Sequence, residues 1–220
     1  MKIPLSNRLL ACCDFINPGD RVADIGCDHG YLGIYLLTKG IASSVIASDI
    51  HEGPLQNAVR NSEKFGVRDK ISFFLSDGVR AIPRDFDTLV CAGMGGDTMI
   101  SILSSAPWLK NETYRLILQC QSKTPMLRHF LSQEGWHIRD EVVLKDGKFL
   151  YTVMEVIFQP GMLLTPGQCH LPPVLRKNTY LPDYRQWVIK GLETAVTNQK
   201  ELADPFQVEA LTQLRKEQSQ

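Results

Sequence analysis

The sequence predicts an α/β fold: a doubly wound, mainly parallel sheet closed by a hairpin and followed by a small helical region. Three features point there. Short apolar runs alternate with helical patterns through about residue 135. These runs are apolar on both faces, as strands covered by helices on two sides must be. After them, Asp146-Gly147 separates two long segments, a strong hairpin signal.

Leu5, Leu9, Leu10 and Phe15-Ile16 recur at near-helical spacing before Pro18-Gly19-Asp20, so residues 5–16 read as an amphipathic helix. A first strand covers 21–25, a glycine-bearing turn 26–30 and a helix 31–39. Strand 44–48, helix 54–65 and strand 70–75 follow. Strands 86–91 and 114–120 each precede a helical stretch, at 98–103 and 126–134. The hairpin arms span 137–145 and 148–158. Beyond Pro160-Gly161, prolines 166, 172, 173 and 182 punctuate the chain. Residues 183–198 then place Tyr184, Trp187, Val188, Leu192, Ala195 and Val196 on one helix face, and a second stretch carries Phe206, Ala210, Leu211 and Leu214. The expected organisation is a main domain over 1–162 with a helical hairpin over 163–220.

With 220 residues, 44% of them hydrophobic, the chain can bury one substantial core and carry such an addition. Lys+Arg and Asp+Glu both number 24, so any nucleic-acid contact has to come from a local patch. Six scattered cysteines, with no C-x-x-C pair and no histidine at zinc-finger spacing, read as reduced thiols, and no metal is expected. Leu9-Leu10-Ala11-Cys12 looks superficially like a lipoprotein cleavage site, but Asn7 and Arg8 interrupt an apolar run already shorter than the roughly 7 to 15 residues of a signal peptide. No segment approaches the ~20 apolar residues of a membrane helix. The expectation is a cytoplasmic protein without a membrane contact.

The chemistry gathers at the strand ends. Asp24-Ile25-Gly26-Cys27-Asp28-His29-Gly30 joins the first strand to the first helix, where a glycine admits close backbone approach and a helix start offers free N–H groups. A dinucleotide fingerprint needs G-x-G-x-x-G, yet Asp28 stands at its second glycine and would repel a pyrophosphate. Asp49 ends the second strand, suited to accepting from two ribose hydroxyls. Asp77 ends the third, before Gly78, suited to accepting from an adenine amino group. Each acid alone is as readily a cap or turn residue. Together they stand at the carboxyl ends of strands, where open α/β sheets bind ligands.

Asp24 to Leu32, the fourth-strand exit Ala92-Gly93-Met94-Gly95-Gly96 and the N-terminal Leu5-Ser6-Asn7-Arg8-Leu9 together resemble the TrmK family of bacterial tRNA (adenine-22-N1)-methyltransferases. Arg115 to Gln119, Asp140-Glu141 and Trp187 agree with it. Cys27 and Gly30 depart from the small residues expected there, and the C-terminal hairpin is shorter. The resemblance implies a class I methyltransferase, a Rossmann-like doubly wound sheet with its last strand antiparallel and a small C-terminal helical domain. It implies S-adenosylmethionine as cofactor and tRNA as partner, and assigns Arg8, Asp24, Gly26, Asp28, His29, Asp49, Asp77, Gly78, Ala92 and Gly93 to the cofactor. Asp28, Gly93 and Met94 take the catalytic positions.

The exit has no carboxamide, carboxylate or aromatic ring to hold an exocyclic amine. That suits a ring nitrogen such as adenine N1, whose in-plane lone pair needs no prior deprotonation. Asp28 either faces the reaction or caps the following helix. His29 either serves the site or satisfies a buried carbonyl, and Arg8 either holds an anion or lies on an exposed helix face. Over 176–200, Arg176, Lys177, Arg185, Lys190 and Lys200 outnumber Asp183 and Glu193, so the first four are expected tRNA contacts, with a solvated face as the alternative. A methyltransferase for a small molecule or protein, and a non-catalytic cofactor-binding RNA-interaction protein, are the rival readings.

Overall fold

The computed structural model describes residues 2–199 and 202–218; Lys200 lies outside them. A seven-stranded sheet runs β3 (Ile71–Leu75), β2 (Ser44–Asp49), β1 (Arg21–Ile25), β4 (Thr88–Gly95), β5 (Arg115–Ser122), β7 (Phe149–Phe158), β6 (Trp136–Asp146). The first five pair in parallel, and β7 inserts antiparallel between β5 and β6. The expected sheet is present, including its antiparallel closure. Chain order reverses beside β1, which has β2 on one side and β4 on the other, so a crevice opens at the carboxyl ends of these strands.

Helices α1 (Asn7–Cys13), α2 (Tyr31–Thr38), α3 (Glu52–Lys64), α4 (Gly96–Ser104) and α5 (Thr124–Gln133) accompany the strands. Two apolar clusters fill the layers, one around Leu89, Met99 and Leu116 and the other around Ile34, Val90 and Ile117. Helix α1 is shorter than the predicted 5–16: Ser6 caps its start by accepting from the Leu9 N–H, and Asp14 ends it. Phe15 and Ile16 are buried without being helical, so their spacing reported burial and not a turn of helix.

The hairpin turn also shifts by one residue. Asp146 pairs with Phe149, which leaves Gly147 and Lys148 as the loop, and Gly147 leads it with φ +60°. A leading glycine at positive φ is the type II′ arrangement. The tip folds toward α1, where Asn7 donates to the Lys145 carbonyl at 3.0 Å.

Helices α6 (Pro166–His170), α7 (Leu181–Gln199) and α8 (Pro205–Gln218) follow the sheet. Tyr184, Val188, Leu192, Ala210, Leu211 and Leu214 form a third cluster with Val143 of the hairpin. Trp187, expected on the same apolar face, is instead 62% exposed.

Arg128 of α5 is fully buried beneath these helices and bound to Glu141 of β6 by Nε at 3.2 Å and Nη2 at 2.6 Å. Its Nη1 donates to the Cys169 and His170 carbonyls and its Nη2 also reaches the Tyr184 hydroxyl. All five guanidinium N–H groups are thereby occupied. Burial works against this charge, but Glu141 and Tyr184 hold the Arg128 pKa above its ordinary value.

Candidate active site

Two adjoining cavities, of about 300 and 390 Å³, occupy the crevice and share Gly26 and Met94. The first is lined by Arg8, Asp24, Asp28, His29, Ala92, Gly93 and Gln121 among others. The second carries Asp49, Asp77 and Gly78. Every residue expected at the cofactor, and every expected catalytic residue, thus borders one cavity or the other.

Backbone geometry explains why the crevice stays open. Gly26 has φ +72°, and a Cβ there would collide with the Met94 methyl. Its N–H and that of Cys27 both donate to the Ser48 carbonyl at 2.8 Å, fastening the turn to β2. The β4 exit bulges between Ala92 and Gly95, with Gly93 at φ +82°. Gln119, fully buried, accepts from the Gly93 N–H at 3.1 Å and from Arg8 Nη1 at 3.2 Å.

Asp24 is 4% exposed and its Oδ2 is buried with no hydrogen-bond partner among the described residues. Burial raises its pKa to about 7; a hydrogen bond from the Gly33 backbone lowers it, and the neighbouring Asp49 charge raises it further. A carboxylate kept in this state suits a cationic ligand group that restores its charge. Asp49 accepts from the Asp28 N–H at 3.1 Å and the His51 N–H at 3.0 Å, one on each oxygen, and each oxygen keeps a lone pair for a hydroxyl.

The capping alternative for Asp28 fails. Helix α2 is capped by Gly30, in the left-handed conformation and without a side-chain bond. Asp28 itself sits at φ +50°, uncommon for a non-glycine residue, with its side chain 70% exposed at the cavity. His29 does not satisfy a buried carbonyl: its side chain is 48% exposed, with Nε2 3.8 Å from Asp28 Oδ1.

Arg8 is not on an open helix face. Its Nε meets Asp146 Oδ2 at 2.8 Å and its guanidinium lies 5.3 Å from the Tyr151 ring centre, so the hairpin tip fixes it at the cavity wall. Asp77 is paired with Arg80 at 2.7 Å and remains 55% exposed. Gln119, Asp146 and Tyr151 were not singled out as site residues, because their partners lie more than a hundred residues away or on the other arm of the fold.

The four expected tRNA contacts divide. Arg185 and Lys190 lie on one open face of α7, beside Asp183 and Glu193, and Lys177 is exposed. Arg176 is committed elsewhere: Nε bonds both Asp140 oxygens at 2.8 Å, its guanidinium stacks 4.8 Å from the Phe15 ring, and the Arg176 backbone N–H donates to the Glu141 carbonyl. All six cysteines are free and buried. No helix among the described residues is long and apolar enough to cross a membrane.

A family model described as a methyltransferase domain matches residues 5–154. A tRNA (adenine(22)-N(1))-methyltransferase from Bacillus subtilis is 35% identical over 154 residues, which is 70% of this chain and 65% of that protein. The chain therefore spans slightly under two thirds of that relative. A solved structure of a putative tRNA (m1A22) methyltransferase from Streptococcus pneumoniae, in complex with S-adenosyl-L-methionine, superposes with a TM-score of 0.84 at 28% identity, covering 96% of this chain and 98% of its own. The B. subtilis m1A22 tRNA methyltransferase TrmK gives 0.80 at 28% identity, with 99% and 97% covered.

Proposed function

The chain belongs to the methyltransferase-domain family, and from that premise we propose that it methylates N1 of adenosine 22 in tRNA with S-adenosylmethionine, as its TrmK-like relatives are named for doing. The observation that carries this reading is the orphaned, buried Asp24 oxygen at the mouth of the strand crevice. The residues fit the cofactor: Asp24 supplies an anion for its ammonium, Asp49 has lone pairs left for ribose hydroxyls, and Gly26 leaves the room a side chain would fill. Asp77 and Gly78 border the second cavity, suited to the adenine end, while Arg8, His29, Ala92 and Gly93 line the first.

When bound, S-adenosylmethionine supplies an electrophilic methyl group on a sulfonium. Adenine N1 already has its lone pair in the ring plane, so no residue has to remove a proton before the transfer. Gly93 and Met94 form the floor on which the base rests, and Gln119 holds that floor in shape. Asp28 presents a carboxylate to a base that gains positive charge as the reaction proceeds, which favours the transition state over the ground state.

We assign residues 1–162 to the catalytic domain and 163–220 to a helical appendage that contacts tRNA through Lys177, Arg185 and Lys190, in the cytoplasm where tRNA is found. Mass spectrometry of nucleosides after incubation with unmodified tRNA and S-adenosylmethionine tests the reading. The expected product is 1-methyladenosine. Cofactor binding by calorimetry without any methylated adenosine would leave the small-molecule, protein or non-catalytic alternatives.

A further inference from the structure

A separate cavity of about 310 Å³ opens between the sheet and the C-terminal helices. Its wall includes Gln121 of β5, Tyr151 and Thr152 of β7, His170 of α6, Trp187 of α7 and Gln207 of α8. Two of these carry buried polar atoms with no partner among the described residues: Thr152 Oγ1, on a side chain 2% exposed, and the Gln207 carboxamide oxygen. Such orphans are rare in folded proteins and call for an explanation. A carboxamide oxygen accepts and a hydroxyl does either, so a group that satisfies both offers at least one N–H or O–H donor.

Trp187 supplies the second requirement. It is 62% exposed on a helix whose Tyr184 and Val188 are buried, and its ring centre lies 5.8 Å from that of Tyr184. Exposed aromatic rings of this kind stack unpaired bases. Burial, and then the Arg128 charge, lower the His170 pKa to about 4, so the wall presents a neutral imidazole. Arg185 and Lys190 stand on the same helix as Trp187. Lys123, also on the wall, is paired with Asp97, so the arrangement suits an uncharged ring inside with phosphates outside.

Gln121 borders both this cavity and the one holding Asp24 and Asp28. The methylated base rests on Gly93 and Met94, in the latter. We propose that this cavity beneath the C-terminal helices receives the base of a nucleotide flanking the methylated adenosine, stacked on Trp187 and hydrogen-bonded to Gln207 or Thr152. The proposal rests on the tRNA reading above.

The test compares methylation of an unmodified tRNA transcript by the full chain and by Trp187→Ala and Trp187→Phe. Because Trp187 is exposed, both variants should keep the parent melting temperature. Trp187→Ala is expected to lower kcat/KM for tRNA by about 10-fold or more, the scale of one lost base stack. Trp187→Phe should stay within a few-fold of the parent, and cofactor affinity should be unchanged in both. Removing the base from one of the two nucleotides beside the target should cost the parent the same factor and cost Trp187→Ala almost nothing further. Equal kcat/KM for parent and Trp187→Ala, or fully additive losses with both abasic tRNAs, overturns the proposal. A parent that methylates no tRNA overturns the tRNA reading and this proposal with it.

Discussion

Asp24 and Glu141 are both buried carboxylates, one at the end of β1 and the other beneath the C-terminal helices, and they differ in what surrounds them. Glu141 meets a guanidinium whose remaining donors are all taken by carbonyls and a tyrosine hydroxyl. Asp24 has an oxygen with no partner among the described residues, and burial lifts its pKa to about 7. A saturated buried pair joins parts of a fold. An unsaturated buried acid costs stability in the empty protein and gains its compensation from a ligand.

The largest effect should come from breaking the saturated pair. Arg128→Ala leaves Glu141 charged and alone, and should cost about 3–5 kcal/mol in chemical denaturation. Replacing both partners, as Arg128→Met with Glu141→Leu, should regain most of that loss, because the desolvation of two charges disappears with them. A single variant of parental stability would mean that water reaches Glu141 and that the pair does not hold the appendage.

The cofactor end should respond in activity instead. Asp28→Asn keeps a residue tolerated at positive φ, so folding should be unaffected. Single-turnover methylation should nevertheless fall about 100- to 1000-fold, as for loss of an electrostatic contact specific to the transition state. A rate within a few-fold of the parent would remove Asp28 from the chemistry.

Asp24→Asn should separate stability from binding. In the empty protein the native carboxyl keeps its proton between pH 3.8 and about 7 while the unfolded chain has lost it, so its contribution to stability falls as pH rises through that window. The variant should therefore melt above the parent by a margin that widens from acid to neutral pH. Cofactor affinity should drop roughly 10- to 150-fold at pH 8, the scale of one charged hydrogen bond. Below pH 7 the parent should lose affinity by about tenfold per unit, and the variant should not. Calorimetry across this range would refute the role of Asp24 if both proteins gave the same profile.

The two regions also differ in how far the sequence revealed them. Strand-end acids and glycines are local signals, and the fold converts them directly into neighbours: Gly26 approaches Met94, and Asp49 receives the Asp28 N–H. Under the appendage the decisive contacts are between distant residues. Arg128 reads as an ordinary surface residue of an amphipathic helix until α5 settles against β6. Helical spacing put Trp187 with Tyr184 and Val188, yet the burial arc is narrower than the apolar arc and leaves the indole outside. Likewise Arg176 reads as a free cation because its partner, Asp140, lies on β6, far back in the chain.

That last correction gives the smallest predicted effect and the sharpest division of the basic residues. An arginine already matched by a carboxylate releases no net counterion when it meets a phosphate, whereas an open one does. Arg176→Ala should leave the dependence of tRNA affinity on salt where it was, although it removes a cation. Removing Arg185 and Lys190 together should flatten the plot of log affinity against log salt by roughly 0.9 for each duplex phosphate they neutralise, or roughly 0.7 where the strand is single. Cofactor affinity should not move in either protein, since none of Arg176, Arg185 and Lys190 borders the strand crevice. Filter binding of unmodified tRNA at several salt concentrations reads both slopes. If the slope flattens for Arg176→Ala and not for the α7 double variant, RNA tracks across β6 and the body of the sheet, and the helices serve to hold the fold.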